Sequence, residues 1–288
     1  MNSPIDIATR EPASGTVPER TMEDNSAWIA PHTPWHPGAR PREFGYSAIK
    51  RAFGAAFGHV LTQRVARSDE HVLAKLTRDL ASYARRQFSV DLCHMLSDID
   101  SVKSIAARSY KHGNGFTKVV LCSSGVGKLR MHIWEPGCNA EENIHEHRWH
   151  FASVVLTGAM TAETWVDAFD PSALSMRELI YDVDDKGGHT TLHEAGRSRI
   201  RKAETTLCRA GSAYSMAPGV LHRITSVDGL TATLVFTTAP SRSWNRMLIR
   251  DGVEPAIDRH PLQAIELQHV LNRLCVDLRG GASDVLRT

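Results

Sequence analysis

The sequence predicts a mainly β protein whose many short strands close into a sandwich or barrel, with helices before them and a helix after. Three observations predict it. Between residues 115 and 240, short β-rich runs alternate with Gly, Ser, Pro and Asn turns, the texture of sandwiches and barrels. On both sides of that region apolar residues recur at three- and four-residue spacing, the helical period. Within the β-rich region a pair two residues apart, His145 and His147, is followed by His222 just after a Pro-Gly turn.

Residues 1–44 are rich in Pro, Ser, Thr and charge. They read as an extended N-terminal arm, because proline fixes φ and removes a donor. Trp28 and Trp35 could pin it to the body. Residues 45–110 read as helical. Val72, Leu73, Leu76, Leu80, Ala81 and Tyr83 fall on one helix face, with Ser68, Asp69 and Glu70 as cap residues. Two shorter helices are predicted over 90–98 and 102–110. Residues 111–245 hold the predicted strands: 116–122, 129–135, 149–156, 159–168, 177–183, 190–195, 213–217, 221–227 and 232–238. Residues 246–288 form a C-terminal helical segment, in which Leu262, Ile265, Leu267, Val270, Leu271 and Leu274 mark a helix over 261–278.

Composition narrows the function classes. The chain has 288 residues, long enough for a sizeable core without staples. Lys+Arg 34 against Asp+Glu 32 leaves no electrostatic footprint for nucleic acid. No apolar run approaches the roughly 18 residues that cross a bilayer, so no membrane partner is expected. The first residues lack the apolar core of a secretory signal. The five cysteines are scattered, odd in number and lack a C-x-x-C pair. That argues against a disulfide framework and for a reducing cytoplasm. No phosphate loop, Ser-His-Asp arrangement or nucleophile elbow is present.

The chemistry concentrates in the histidines. Side chains two apart on a strand share a face, so His145 and His147 can aim at one point. An isolated pair reads more readily as two solvent-facing strand histidines. The stretch from Gly211 to His222 changes the weighing: Pro218-Gly219 turns the chain back, and His222 opens the next strand. Three imidazoles are half of an octahedral site for Fe, Zn, Cu or Ni. His150 has the opposite parity and belongs beside the site or on the surface unless a bulge shifts it. Trp149 and Phe151 share the inward parity. Tyr214 and Met216 precede the turn and could line the pocket.

These two segments resemble the two signature motifs of the cupin superfamily, in the residues Gly137, His145, His147 and Gly158, then Gly211, Pro218, Gly219 and His222. The first motif carries seven residues rather than five between its glycine and His145, and the second has Pro and Gly adjacent. The resemblance implies a jelly-roll cupin barrel. The glutamate of the first motif is absent, with Phe151 or Ala152 at its place. Three neutral histidines without that carboxylate resemble the thiol dioxygenases, the cysteine dioxygenase group. Trp134-Glu-Pro-Gly137, Ile144-His-Glu-His147, Leu156-Thr-Gly158 and Ala162-Glu-Thr-Trp165 are similar to that group as well. The resemblance implies Fe(II) held by His145, His147 and His222, with O2 as co-substrate.

In that group a strand arginine grips the substrate carboxylate, and Lys118 falls near its place. The group's Ser-His-Tyr relay has no counterpart after His222, so cysteine is not the expected substrate. The long spacing from His147 to His222 predicts an inserted hairpin around 184–191, with His189 and His193 exposed. Glu163 could face inward as an acid–base group, and Arg242 could close over an anionic substrate. The expected function is an Fe(II)-dependent oxygenase acting on a small anionic metabolite. The alternatives are a non-redox isomerase or lyase using Zn, Mn or Ni, and a metal-bearing cupin without turnover. A homodimer is compatible with the resemblance.

Overall fold

The computed structural model describes residues 70–124, 127–140, 142–183 and 190–285. The N-terminal arm with Trp28 and Trp35, the cap residues Ser68 and Asp69, and His189 in the predicted insertion lie outside the described residues.

Helix α1 (Glu70–Tyr83) runs through a π-helical turn, Ala84–Phe88, into α2 (Ser89–Leu96). The Tyr83 hydroxyl donates to Asp91 Oδ2 at 2.8 Å across that turn. Helix α3 (Ile99–Ala106) starts at Asp98, whose carboxylate accepts from the Asp100 N–H at 3.2 Å. This bond satisfies one of the orphan donors of a helix start. Helix α4 (Ala264–Val285) closes the described chain.

Among the described residues eleven strands follow α3: β1 (Tyr110–His112), β2 (Thr117–Ser124), β3 (Gly127–Trp134), β4 (Ile144–His145), β5 (Phe151–Asp167), β6 (Leu174–Val183), β7 (Thr190–Arg209), β8 (Ala213–Met216), β9 (Leu221–Thr238), β10 (Trp244–Ile249) and β11 (Arg259–Pro261). All pair antiparallel in the order β11-β1-β2-β3-β9-β4-β10-β6-β7-β5-β8. Strand β5 also pairs with β9, so β9, β4, β10, β6, β7 and β5 form a closed circuit of pairings.

The helices cover one face of this sheet. Leu129, Met131 and Ile133 of β3 point into one core shared with Leu80, Phe88, Leu92 and Ile105 and with Leu267, Leu271 and Leu274 of α4. Each such side chain contributes about 2 kcal/mol by leaving water. Alternation then sends Lys128, Arg130, His132 and Trp134 to the opposite face. That face holds the interior around the histidines.

Several strands differ from the sequence reading. Residues 149–168 and 221–238 read as two strands each, separated by turns at Gly158 and Gly229. The structure makes each one long strand bent by bulges at Val155/Thr157, Thr157/Ala159 and Thr161/Ala162. Gly158 sits at φ 72°, and a Cβ there would lie 2.3 Å from Thr231 Oγ1 and 2.7 Å from the Leu230 carbonyl oxygen. Only glycine both adopts the left-handed backbone and lets β9 approach so closely. The segment 246–288 reads as helical, yet β11 and most of β10 fall in it. Similarly, β1 lies at the end of a predicted helix. Strands of three to six residues are too short to show a period. Predicted helices over 90–98, 102–110 and 261–278 correspond to α2, α3 and α4, with shifted ends.

Candidate metal centre

Strands β4 and β9 pair at one register position, His145 opposite His222. Residues directly opposite in an antiparallel pair share a face, so these two imidazoles stand side by side. His147, two residues on, returns to that face. Ring centroids lie 4.6 Å apart for His145–His222 and 4.9 Å for each of the pairs with His147. One ligand atom from each ring lies within 4.8 Å of the others. No carboxylate joins them among the described residues. The three rings form a group competent to hold a metal ion.

The backbone sets two of the three tautomers. His145 Nδ1 lies 2.9 Å from the Asn143 carbonyl oxygen, and His222 Nδ1 lies 2.9 Å from that of Val220. A carbonyl only accepts, so each Nδ1 carries the proton and Nε2 keeps a free lone pair. This is the arrangement in which a metal-binding histidine is oriented by its other ring nitrogen. The third ring, His147, stacks on Trp149 at 5.3 Å and meets Phe151 edge-on at 5.2 Å. Both aromatics have the parity expected for the pocket wall.

Burial keeps all three rings neutral. It lowers His145, and together with the neighbouring rings it drives His147 well down and His222 to about 3. Burial likewise lowers His112, His132 and His150. A histidine whose folded value lies below its unfolded value of about 6.5 stabilises the fold above that pH. The stabilisation is lost as pH falls toward the folded value, because the unfolded chain binds more protons. The metal-free protein is therefore expected to lose stability steeply below about pH 6.5. Urea midpoints measured between pH 7 and pH 5 check this; an unchanged midpoint would contradict the burial of these rings.

The other sequence-predicted residues divide. Lys118 stands half-buried in the interior, its ammonium 5.5 Å from the Tyr110 ring centroid and 5.7 Å from that of Phe116. Its register partner on β3 is His132. Burial lowers its pKa, with Tyr110 acting the other way. Glu163, expected to face inward, does not. It pairs with Arg223 while its neighbour Thr164 pairs with His222, so alternation turns it to the face away from the histidines. Its two oxygens accept from Lys202 at 3.0 Å and Arg223 at 2.7 Å. Arg242, expected to close over a substrate, donates instead to the buried carboxylate of Glu146 and to the His147 carbonyl oxygen at 3.4 Å. Glu146 also accepts from the Arg246 N–H at 3.0 Å. Its charge is thus spent on holding the His145–His147 segment.

His150 is 5% exposed and outside the three-ring group. Neither ring nitrogen has a hydrogen-bond partner among the described residues. Tyr214 lies 6.0 Å from Phe151, ring to ring. Cys138 is half-buried against the small cluster of Phe116 and Trp134. His193 is exposed on β7.

Arg130 escaped the sequence reading. It shares the His132 and Trp134 face of β3, is 9% exposed, and lies 5.1 Å from the Trp149 ring. Its Nε has no hydrogen-bond partner among the described residues. The alternation of Leu129, Met131 and Ile133 with Arg130, His132 and Trp134 was a visible signal. A polar alternate face reads by default as solvent, and only the closed circuit of strands makes it interior. Glu142 also escaped: it accepts from the Ile224 N–H at 3.1 Å, and burial raises its carboxyl to about 7.

No protein-family model matches the chain, and no curated protein matches it. Among solved structures, the chain is similar to one described as "Crystal structures of DMSP lyases RdDddP and RnDddQII". The identity is 14%, with 74% of this chain and 85% of that chain covered and a TM-score of 0.27. Neither fold nor activity follows from a likeness at that level. No described helix is long and apolar enough to cross a membrane.

Proposed function

We propose that the chain is a metal-dependent enzyme of the cupin jelly-roll type, an Fe(II) oxygenase acting with O2 on a small anionic metabolite. The observation that carries the reading is the convergence of His145, His147 and His222 without a carboxylate. When bound, iron would supply a Lewis-acid centre with open positions for a substrate and O2. His145 and His222 would hold it through Nε2, their Nδ1 protons fixed by carbonyls. His147 would complete the set, steadied by the Trp149 ring. Three neutral rings leave the ion its full charge, which favours an anionic partner.

The interior supports the anionic substrate independently. Lys118 and Arg130 are cations on the interior face that form no salt bridge among the described residues, and both depress the protonation of His147. An anionic group of the substrate would sit between them, with Phe151 and Trp149 excluding water. Replacing Lys118 or Arg130 by Met keeps the bulk and removes the charge. Each variant is expected to raise KM about tenfold or more, the scale of a lost charged hydrogen bond, with metal content unchanged. The proposal as a whole is tested by elemental analysis after anaerobic purification, then oxygen consumption with small acids and thiols. About one iron per chain and substrate-dependent oxygen uptake support it; turnover that proceeds without oxygen overturns the oxygenase.

One observation favours a second reading, a non-redox lyase or isomerase using Zn, Mn or Ni. Burial raises the Tyr110 hydroxyl, but Lys118, Arg259 and Arg130 outweigh it and bring it down to about 8. A tyrosine at that value can take a proton from a substrate near neutral pH. Tyr110→Phe would abolish turnover in that reading and leave oxygen uptake largely intact in the first.

A further inference from the structure

Away from the histidines, two sulfurs meet across the helical layer. Cys93 on α2 and Cys275 on α4 are 182 residues apart in the chain, and their sulfurs lie 3.4 Å apart. Cys93 is half-buried and Cys275 is 8% exposed. The Arg279 guanidinium donates to Cys93 Sγ at 3.1 Å. Open clefts of about 180 and 420 Å³ both include Cys93 in their walls, and the larger also reaches Cys275.

We propose that Cys93 and Cys275 are a peroxide-oxidisable dithiol that closes to a disulfide between α2 and α4. Cys93 is the attacking sulfur, because both clefts lead to it and Arg279 stands where negative charge develops on it. Cys275 is the resolving sulfur: burial and the Cys93 sulfur push its thiol up to about 12, so it keeps its proton until it reacts. In the first step the Cys93 sulfur attacks one oxygen of hydrogen peroxide. The O–O bond breaks, one water leaves, and a sulfenic acid forms. In the second, the Cys275 sulfur gives up its proton and attacks the Cys93 sulfur. The S–O bond breaks and a second water leaves. Two thiols and one peroxide become one disulfide and two waters, with two electrons passing from sulfur to oxygen.

The bond would clamp the C-terminal helix to the helices at the start of the described chain. Nothing in this step draws on the histidine site, so the two readings stand or fall separately.

The test is peptide mapping of the full-length protein under non-reducing conditions, before and after dilute hydrogen peroxide. The expected result is a cross-linked peptide joining Cys93 to Cys275, absent after dithiothreitol, with a higher thermal unfolding midpoint in the oxidised form. In Cys275→Ser the cross-link disappears and dimedone labels Cys93 as a sulfenic acid. The proposal is overturned if both thiols remain open to iodoacetamide after peroxide. It is equally overturned if Cys93 bonds to a different cysteine or to a second chain.

Discussion

His222→Ala is expected to lose bound metal while keeping the fold. His222 is 6% exposed, faces His145 across the β4–β9 pair and lies within 5 Å of both partner rings by centroid. Removing it leaves two imidazoles, too few to hold a divalent ion against buffer. Loss of a group that merely orients a ligand costs about 10–100-fold in metal affinity, so loss of the ligand itself exceeds that. Truncating one buried ring costs about 3 kcal/mol of packing. The hydrogen-bonded ladder of β9 from Thr231 to Thr238 does not involve this side chain. Metal content by elemental analysis, with circular dichroism to confirm the fold, checks the result. Metal retained at the wild-type level in a folded His222→Ala protein would falsify the three-histidine site.

Arg242→Ala is expected to destabilise the protein by about 3 kcal/mol, the cost of stranding a buried charge. Glu146 is 2% exposed and sits between His145 and His147. Its carboxylate accepts from Arg242 and from the Arg246 N–H, and its own N–H donates to the Arg246 carbonyl oxygen at 3.1 Å. Without the guanidinium the carboxylate must turn outward or take up water. Each of these moves the backbone that spaces the two histidines. Metal affinity should therefore fall along with the urea midpoint. Glu146→Gln with Arg242→Met removes both charges together and should recover much of the stability, because the loss comes from the unpaired charge rather than from the pair itself. Equal losses in the single and double variants would exclude the clamp.

The candidate ligands were legible because strand chemistry is local. A period of two puts His145 and His147 on one face whatever the rest of the chain does. A Pro-Gly turn before His222 marks where a strand must begin. The helical layer was legible for the same reason, since Leu76, Leu80 and Tyr83 repeat at the helical period over a long enough run. Glu163 and Arg242 were misjudged because their partners are far away in the chain. Arg223 is 60 residues from Glu163, and Glu146 is 96 residues from Arg242. No local pattern tells an arginine that meets a substrate from one that meets a carboxylate.

Residue pattern alone therefore accounts for the β class, the flanking helices and the histidines of the site. Those properties follow from periods and turns within a few residues. Which polar face becomes interior, how Arg130 and Lys118 come to act on His147, and where Arg242 spends its charge arise only when the strands close their circuit. Burial and long-range pairing are properties of that closure, and they turn an alternating polar face from solvated surface into a site.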